Sequence, residues 1–160
     1  MNRLLLKGVA FISFASAFVL VSPMPSQGHD GHGAEKLGVQ VEQLATTSKE
    51  WDGKDLPVYP KGKPEVKVLK IMIPAGVKLP FHTHPVINAA VILEGALELE
   101  LLDGTTKVFK EGEALVEVVN TIHSGKATGQ QDVKLIVIYA GIQGTPTTIL
   151  FDNGLKIDSK

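Results

Sequence analysis

An all-β fold is predicted by three features of this sequence. It has 16 glycines and nine prolines in 160 residues. Its apolar stretches are short, and several alternate with polar residues in the period-two pattern of a strand with one wet face. Glycine-centred turns separate those stretches at regular intervals, which suggests a sandwich or barrel without internal repeats.

The elements follow in chain order. Met1–Lys7 carries Arg3 and Lys7 and no acid, and Gly8–Ser22 is almost wholly apolar up to Pro23 and Pro25. A basic start, a short apolar run and a helix-breaking end predict a secretory signal over residues 1–28. The run is short for a bilayer span, which takes about 20 apolar residues, and an uncleaved anchor is the alternative. Cleavage after Gly28 leaves His29 as the mature start and moves the net charge from −1 to −3, because Arg3 and Lys7 are the charges lost. Residues 29–38 read as a flexible His/Gly-containing tail. Residues 39–64 read as an N-terminal strand (Val39–Ala45) and an irregular segment packing on the barrel, because Asp52–Pro64 holds three prolines and two glycines.

The barrel is expected over 65–152, with 153–160 as a C-terminal tail. Val66–Ile73 reads as a strand ended by Pro74 and Gly76, and Ala89–Leu93 as a second. Leu97, Leu99 and Leu101 alternate with Glu98 and Glu100, so those glutamates and Glu94 face outward. Asp103-Gly104 is a hairpin turn back into Lys107–Phe109. Glu111-Gly112 leads to Ala114–Val119, Asp132–Tyr139 is apolar on both faces like a central strand, and Thr147–Phe151 closes the set.

The composition excludes several functions. No Lys/Arg stripe is present to hold nucleic acid. The chain has no cysteine, hence no disulfide scaffold, thiol ligand or thiol nucleophile. It also lacks a G-x-S-x-G elbow, a P-loop and a Ser-His-Asp set. What remains is histidine chemistry. His82-Thr83-His84 places two imidazoles on one side of an extended strand, about 6–7 Å apart along it, a spacing from which both can reach one ion. His123 is the third candidate. An H-x-H pair alone is equally consistent with structural or solvent-facing histidines.

The surrounding frame carries more. Gly76, His82, His84, position 88 and Gly95 match the spacing of G-x5-H-x-H-x3-E-x6-G. Gly112, Val118, Asn120, His123 and Ala127 match that of G-x5-P-x-G-x2-H-x3-N. Residues 65–151 therefore resemble the cupin superfamily, closest to small exported single-domain members with segments like His84–Ala89 and Glu117–His123. The resemblance implies a cupin double-stranded β-helix (jelly-roll) barrel of six to eight antiparallel strands with a metal in its mouth. It departs from the pattern at Asn88, where the family has a ligating Glu, and at Val118, Asn120 and Ala127.

Asn88 offers only a neutral amide oxygen, so two outcomes are open. One is a three-His face, as in several iron-dependent cupin dioxygenases. The other draws a carboxylate from elsewhere, and Glu117 is the candidate. Alternation puts Leu115 and Glu117 on one face, the inward face of the motif, where a carboxylate needs a partner. Glu117 is then a partner of the metal ligands or a general base, and less readily a fourth ligand. A register slip by one residue turns it to solvent.

The metal expected is a divalent ion, Fe(II) first, with Mn, Ni or Zn as alternatives. The function expected is a dioxygenase-like oxidoreductase or an isomerase acting on a small molecule. The alternative is a non-catalytic periplasmic cupin that binds metal or a small ligand, and an empty structural cupin is a third reading. The chain is expected to be periplasmic or secreted, free of the membrane after signal cleavage, free of nucleic acid, and able to form a homodimer. His29 and His32 read as part of a flexible polar tail rather than a second metal site. Trp51 and Tyr59 either flank the mouth or pack outside, and Tyr139 ends its strand at the mouth or in the core.

Overall fold

The computed structural model describes residues 38–152 and 155–156. The expected signal over 1–28 and the tail histidines His29 and His32 lie outside those residues. Contacts divide the chain after Val41. Of the first unit only 38–41 are described, and they are exposed.

The second unit is a jelly roll of two antiparallel sheets. Its strands are β1 (Pro64–Ile73), β2 (His82–Thr83), β3 (Ile87–Glu94), β4 (Ala96–Leu101) and β5 (Thr106–Lys110), followed by β6 (Ala114–Val116), β7 (His123–Thr128), β8 (Val133–Ile142), β9 (Ile149–Asp152) and β10 (Leu155–Lys156). One sheet has the order β1-β8-β3-β6 and the other β10-β9-β2-β7-β4-β5. Among the described residues, no helix is long and apolar enough to cross a membrane.

The alternation in β4 explains its orientation. Leu97, Leu99 and Leu101 are buried while Glu98 and Glu100 lie at the surface, where Glu100 pairs with Lys78. Glu94 likewise forms a surface ion pair with Lys134 at 2.7 Å. The hairpin expected at Asp103-Gly104 joins β4 to β5, with Gly104 at a φ of 84°. Inward residues of both sheets form the core, including Ile73, Ile92, Leu99, Phe109, Leu115, Val133 and Leu135. Burying each such side chain contributes about 1.5–3 kcal/mol relative to exposure.

Three expectations need correction. Val39–Ala45 pairs with no strand among the described residues; Val39 and Val41 alternate with polar residues, but the alternation breaks at Gln43 and Val39, Val41 and Leu44 are left exposed. The strand from Ala114 ends at Val116 rather than Val119, because the chain turns toward Asn120, whose φ is 55°. The apolar run of β8 is central, between β1 and β3, but only one of its faces is buried. Its other face joins that of β1 in an apolar outer surface, with Val66 at 63%, Val68 at 61% and Met72 at 59% exposure, beside Ile138. β7 was not foreseen as a strand, and Leu155–Lys156 of the expected tail pair with β9.

Candidate metal centre

Strand pairing brings the three histidines together. His82 on β2 lies directly opposite His123, the first residue of β7. His84 is held one step further on by a parallel bridge to Val119, and its carbonyl accepts the Asn120 N–H at 2.8 Å. Asn120 stands at the motif position usually taken by glycine, and its left-handed backbone is one that Asn tolerates better than most residues. That turn returns the chain from Glu117 to His123.

All three rings are buried and their centroids lie 4.4–5.0 Å apart. Each Nδ1 faces a backbone carbonyl, that of Pro80 at 2.8 Å for His82, Thr147 at 2.8 Å for His84 and Thr121 at 2.9 Å for His123. A carbonyl only accepts, so Nδ1 carries the proton in all three and Nε2 keeps its lone pair. Burial lowers the pKa of each: His84 falls to about 3, and His82 and His123 fall below the usual imidazole value. The imidazoles are therefore neutral, the form in which histidine ligates a metal.

Each histidine offers a ligand atom within 4.8 Å of the other two, and among the described residues this is the one grouping of three or more His, Cys, Asp or Glu side chains that could hold an ion. His123 Nε2 is buried without a hydrogen-bond partner, as is Asn88 Oδ1. Such orphans are costly, at about 1–3 kcal/mol each, and call for an occupant. Three neutral, oriented imidazoles with an unpartnered lone pair fit a divalent ion. The donor set does not distinguish iron from manganese, nickel or zinc.

Glu117 lies inside the protein. It is 7% exposed, with Oε2 3.7 Å from His123 Nε2. That distance is too long for a hydrogen bond, and the neutral His123 makes it no ion pair. Trp51 Nε1 donates to the same oxygen at 3.1 Å. Burial raises the Glu117 carboxyl to about 7, against the pull of His82, the Val118 amide and Trp51. Asn88 is 1% exposed and also lines the cavity. Tyr139 packs its ring edge-on against His84 at 5.5 Å, and burial raises its phenol. Tyr59, by contrast, is exposed.

Trp51 sits in a turn fastened to the strand below. Its backbone N–H donates to the Val116 carbonyl at 2.9 Å, and Glu50 accepts the Val119 N–H at 3.1 Å. Sequence reasoning left Trp51 between two placements and missed its bond to Glu117. It also missed the Thr147 carbonyl behind His84, since a backbone partner 63 residues away has no local signature.

The family model described as a cupin domain matches residues 69–139. No curated protein sequence matches the chain. Among solved structures, the DMSP lyase DddQ from Ruegeria pomeroyi is similar, with 21% identity and a TM-score of 0.46 over 53% of this chain and 42% of that one. An oxalate oxidase has 21% identity and a TM-score of 0.42 over 46% and 41%. The polyketide cyclase RemF from Streptomyces resistomycificus has 18% identity and a TM-score of 0.47 over 58% and 66%. The chain spans less than half the length of the first two. The family match takes in both motifs, and the jelly-roll topology brings their histidines together: the chain carries a domain of the cupin superfamily.

Proposed function

We propose that this chain is an exported, single-domain cupin that binds one divalent metal ion and acts on a small organic molecule as a dioxygenase-like oxidoreductase or an isomerase. The observation that carries the reading is the triad itself: three buried, neutral imidazoles with Nδ1 fixed and Nε2 free. His82, His84 and His123 hold the ion, with Fe(II) the first choice and Mn, Ni or Zn behind it, and Asn88 Oδ1 is the neutral oxygen nearest in role to the family's carboxylate. A bound divalent ion supplies open coordination positions and polarises an oxygen-bearing ligand.

The chain's own groups do the rest. The apolar cavity wall excludes water, and Glu117 Oε2 holds or releases a proton beside His123. Trp51 fixes the Glu117 carboxyl group through one indole hydrogen bond. The two sheets close as a double-stranded β-helix barrel. The signal over 1–28 directs the chain to the periplasm or outside the cell. The exposed apolar face of β1 and β8 supports a homodimer formed through that sheet, since apolar patches of this kind mark interaction sites. The lack of a basic stripe argues against nucleic acid.

Glu117→Gln separates enzyme from binder. In the enzyme, metal content stays at the wild-type level while turnover in an oxygen-consumption or isomerisation screen falls about 10²–10⁴-fold, the range for a lost general base. A wild-type protein that binds ligand but turns nothing over, with affinity unmoved by the substitution, is the non-catalytic cupin.

A further inference from the structure

The cavity that begins at the histidines changes character with depth, and strand register shows how. At its polar level, Tyr139 lies opposite Asn88, the Glu117 N–H donates to the Asn88 carbonyl at 3.0 Å, and His123 lies opposite Leu101. One two-residue step along the same strands replaces these with Val137, Ala90, Leu99 and Gly125. A second step brings Leu135 and Leu97, with Ile71 opposite Leu135 on β1. Each step is about 6.6–6.8 Å of strand. Below the imidazoles, therefore, lies an apolar shaft roughly 13 Å deep, inside a cavity of about 240 Å³. A dry cavity of about 150 Å³ holds benzene, so the space takes a small head group and a short hydrocarbon chain or ring.

The charges are as informative as the shape. Among the described residues, no lysine or arginine lines the cavity, and Glu117 is its one carboxylate. A ligand carrying a second anionic group would desolvate it against leucine and valine with no cation to meet it, at a cost of several kcal/mol. We infer that the site takes a small amphipathic molecule, with an uncharged or singly charged oxygen-bearing head at His82, His84 and His123 and an uncharged hydrocarbon tail along Leu99, Val137, Leu97, Leu135 and Ile71. Dicarboxylates and sugar phosphates are excluded. The head-group half of this inference rests on the metal-site reading, whereas the tail half rests on the apolar shaft alone.

Straight-chain alkyl hydroxamic acids, uncharged at neutral pH, serve as probes with tails of two to six carbons. They are titrated by calorimetry into the wild-type protein, both metal-free and zinc-loaded. Affinity rises about fourfold per added methylene until the shaft is filled, and a carboxylate at the tail end lowers it at least 100-fold. The tail dependence persists in the metal-free protein at weaker overall affinity. If zinc fails to bind but the tail dependence remains, the metal reading falls and the assignment of the hydrocarbon tail stands. If zinc binds at one equivalent and affinity is flat with tail length, or the tail-end carboxylates bind as tightly, the inference is overturned.

Discussion

Replacing Trp51 with Phe removes one donor from a buried carboxylate and leaves most of the ring packing in place. Trp51 Nε1 lies 3.1 Å from Glu117 Oε2, a buried carboxyl whose other donor is the Val118 amide. A hydrogen bond to a charged group contributes about 1.5–3 kcal/mol net, and more of that appears when the partner is stranded without water. Losing part of the indole adds on the order of 1 kcal/mol of packing. Trp51→Phe is therefore expected to cost about 2–4 kcal/mol in urea unfolding of the metal-free protein at pH 8.5. The cycle is closed with Glu117→Leu, which removes the carboxylate and fills its space. In that background Trp51→Phe should cost only the packing share, giving a coupling of about 1.5–3 kcal/mol. Equal costs in the two backgrounds would refute the claim that the indole holds the carboxylate, and would reduce Trp51 to a packed aromatic.

Gly95→Ala should destabilise by more than about 3 kcal/mol, since its φ is 79° and a Cβ would stand 2.5 Å from the Asp132 carbonyl oxygen. Gly76→Ala, at φ 77° but with open space around it, should cost only the backbone share of about 1–2 kcal/mol; similar losses at both sites by urea titration would contradict this. Val68→Glu places a charge on the exposed apolar face and should yield a monomer by sedimentation where the wild type is a dimer, and an unchanged sedimentation coefficient would exclude that face. Burial raises the Glu50 carboxyl above its usual 4.5, so the folded chain binds that proton more tightly than the unfolded one. Stability from Glu50 is then fully present below about 4.5 and lost as pH rises through its folded pKa, and Glu50→Gln should flatten that part of the stability–pH curve.

The strands of period two were legible because Leu97, Leu99 and Leu101 face one side and their glutamates the other. The motif spacing paired His82 and His84 with a histidine 39 positions later, and the fold brings all three rings within 5.0 Å. Glu117 was placed inward by simple alternation with Leu115, and both are buried. The features that escaped all depend on distant partners. β7 opens with His-Ser-Gly-Lys, which has no strand signature, and exists because β2 and β4 flank it. The outer face of β8 looks like core by composition but has no covering layer among the described residues. The Trp51 bond joins positions 66 apart, and only the fold could bring them together.

If the triad holds one ion, metal content shows it directly. Protein purified from an exporting host, beside His123→Ala, is analysed by mass spectrometry after removal of loosely bound metal. About one equivalent of a divalent metal per chain is expected in the wild type, with iron or manganese favouring oxygen chemistry, and its loss is expected in the variant. A folded wild-type protein that carries no metal and takes up none on reconstitution would contradict a metal-holding triad.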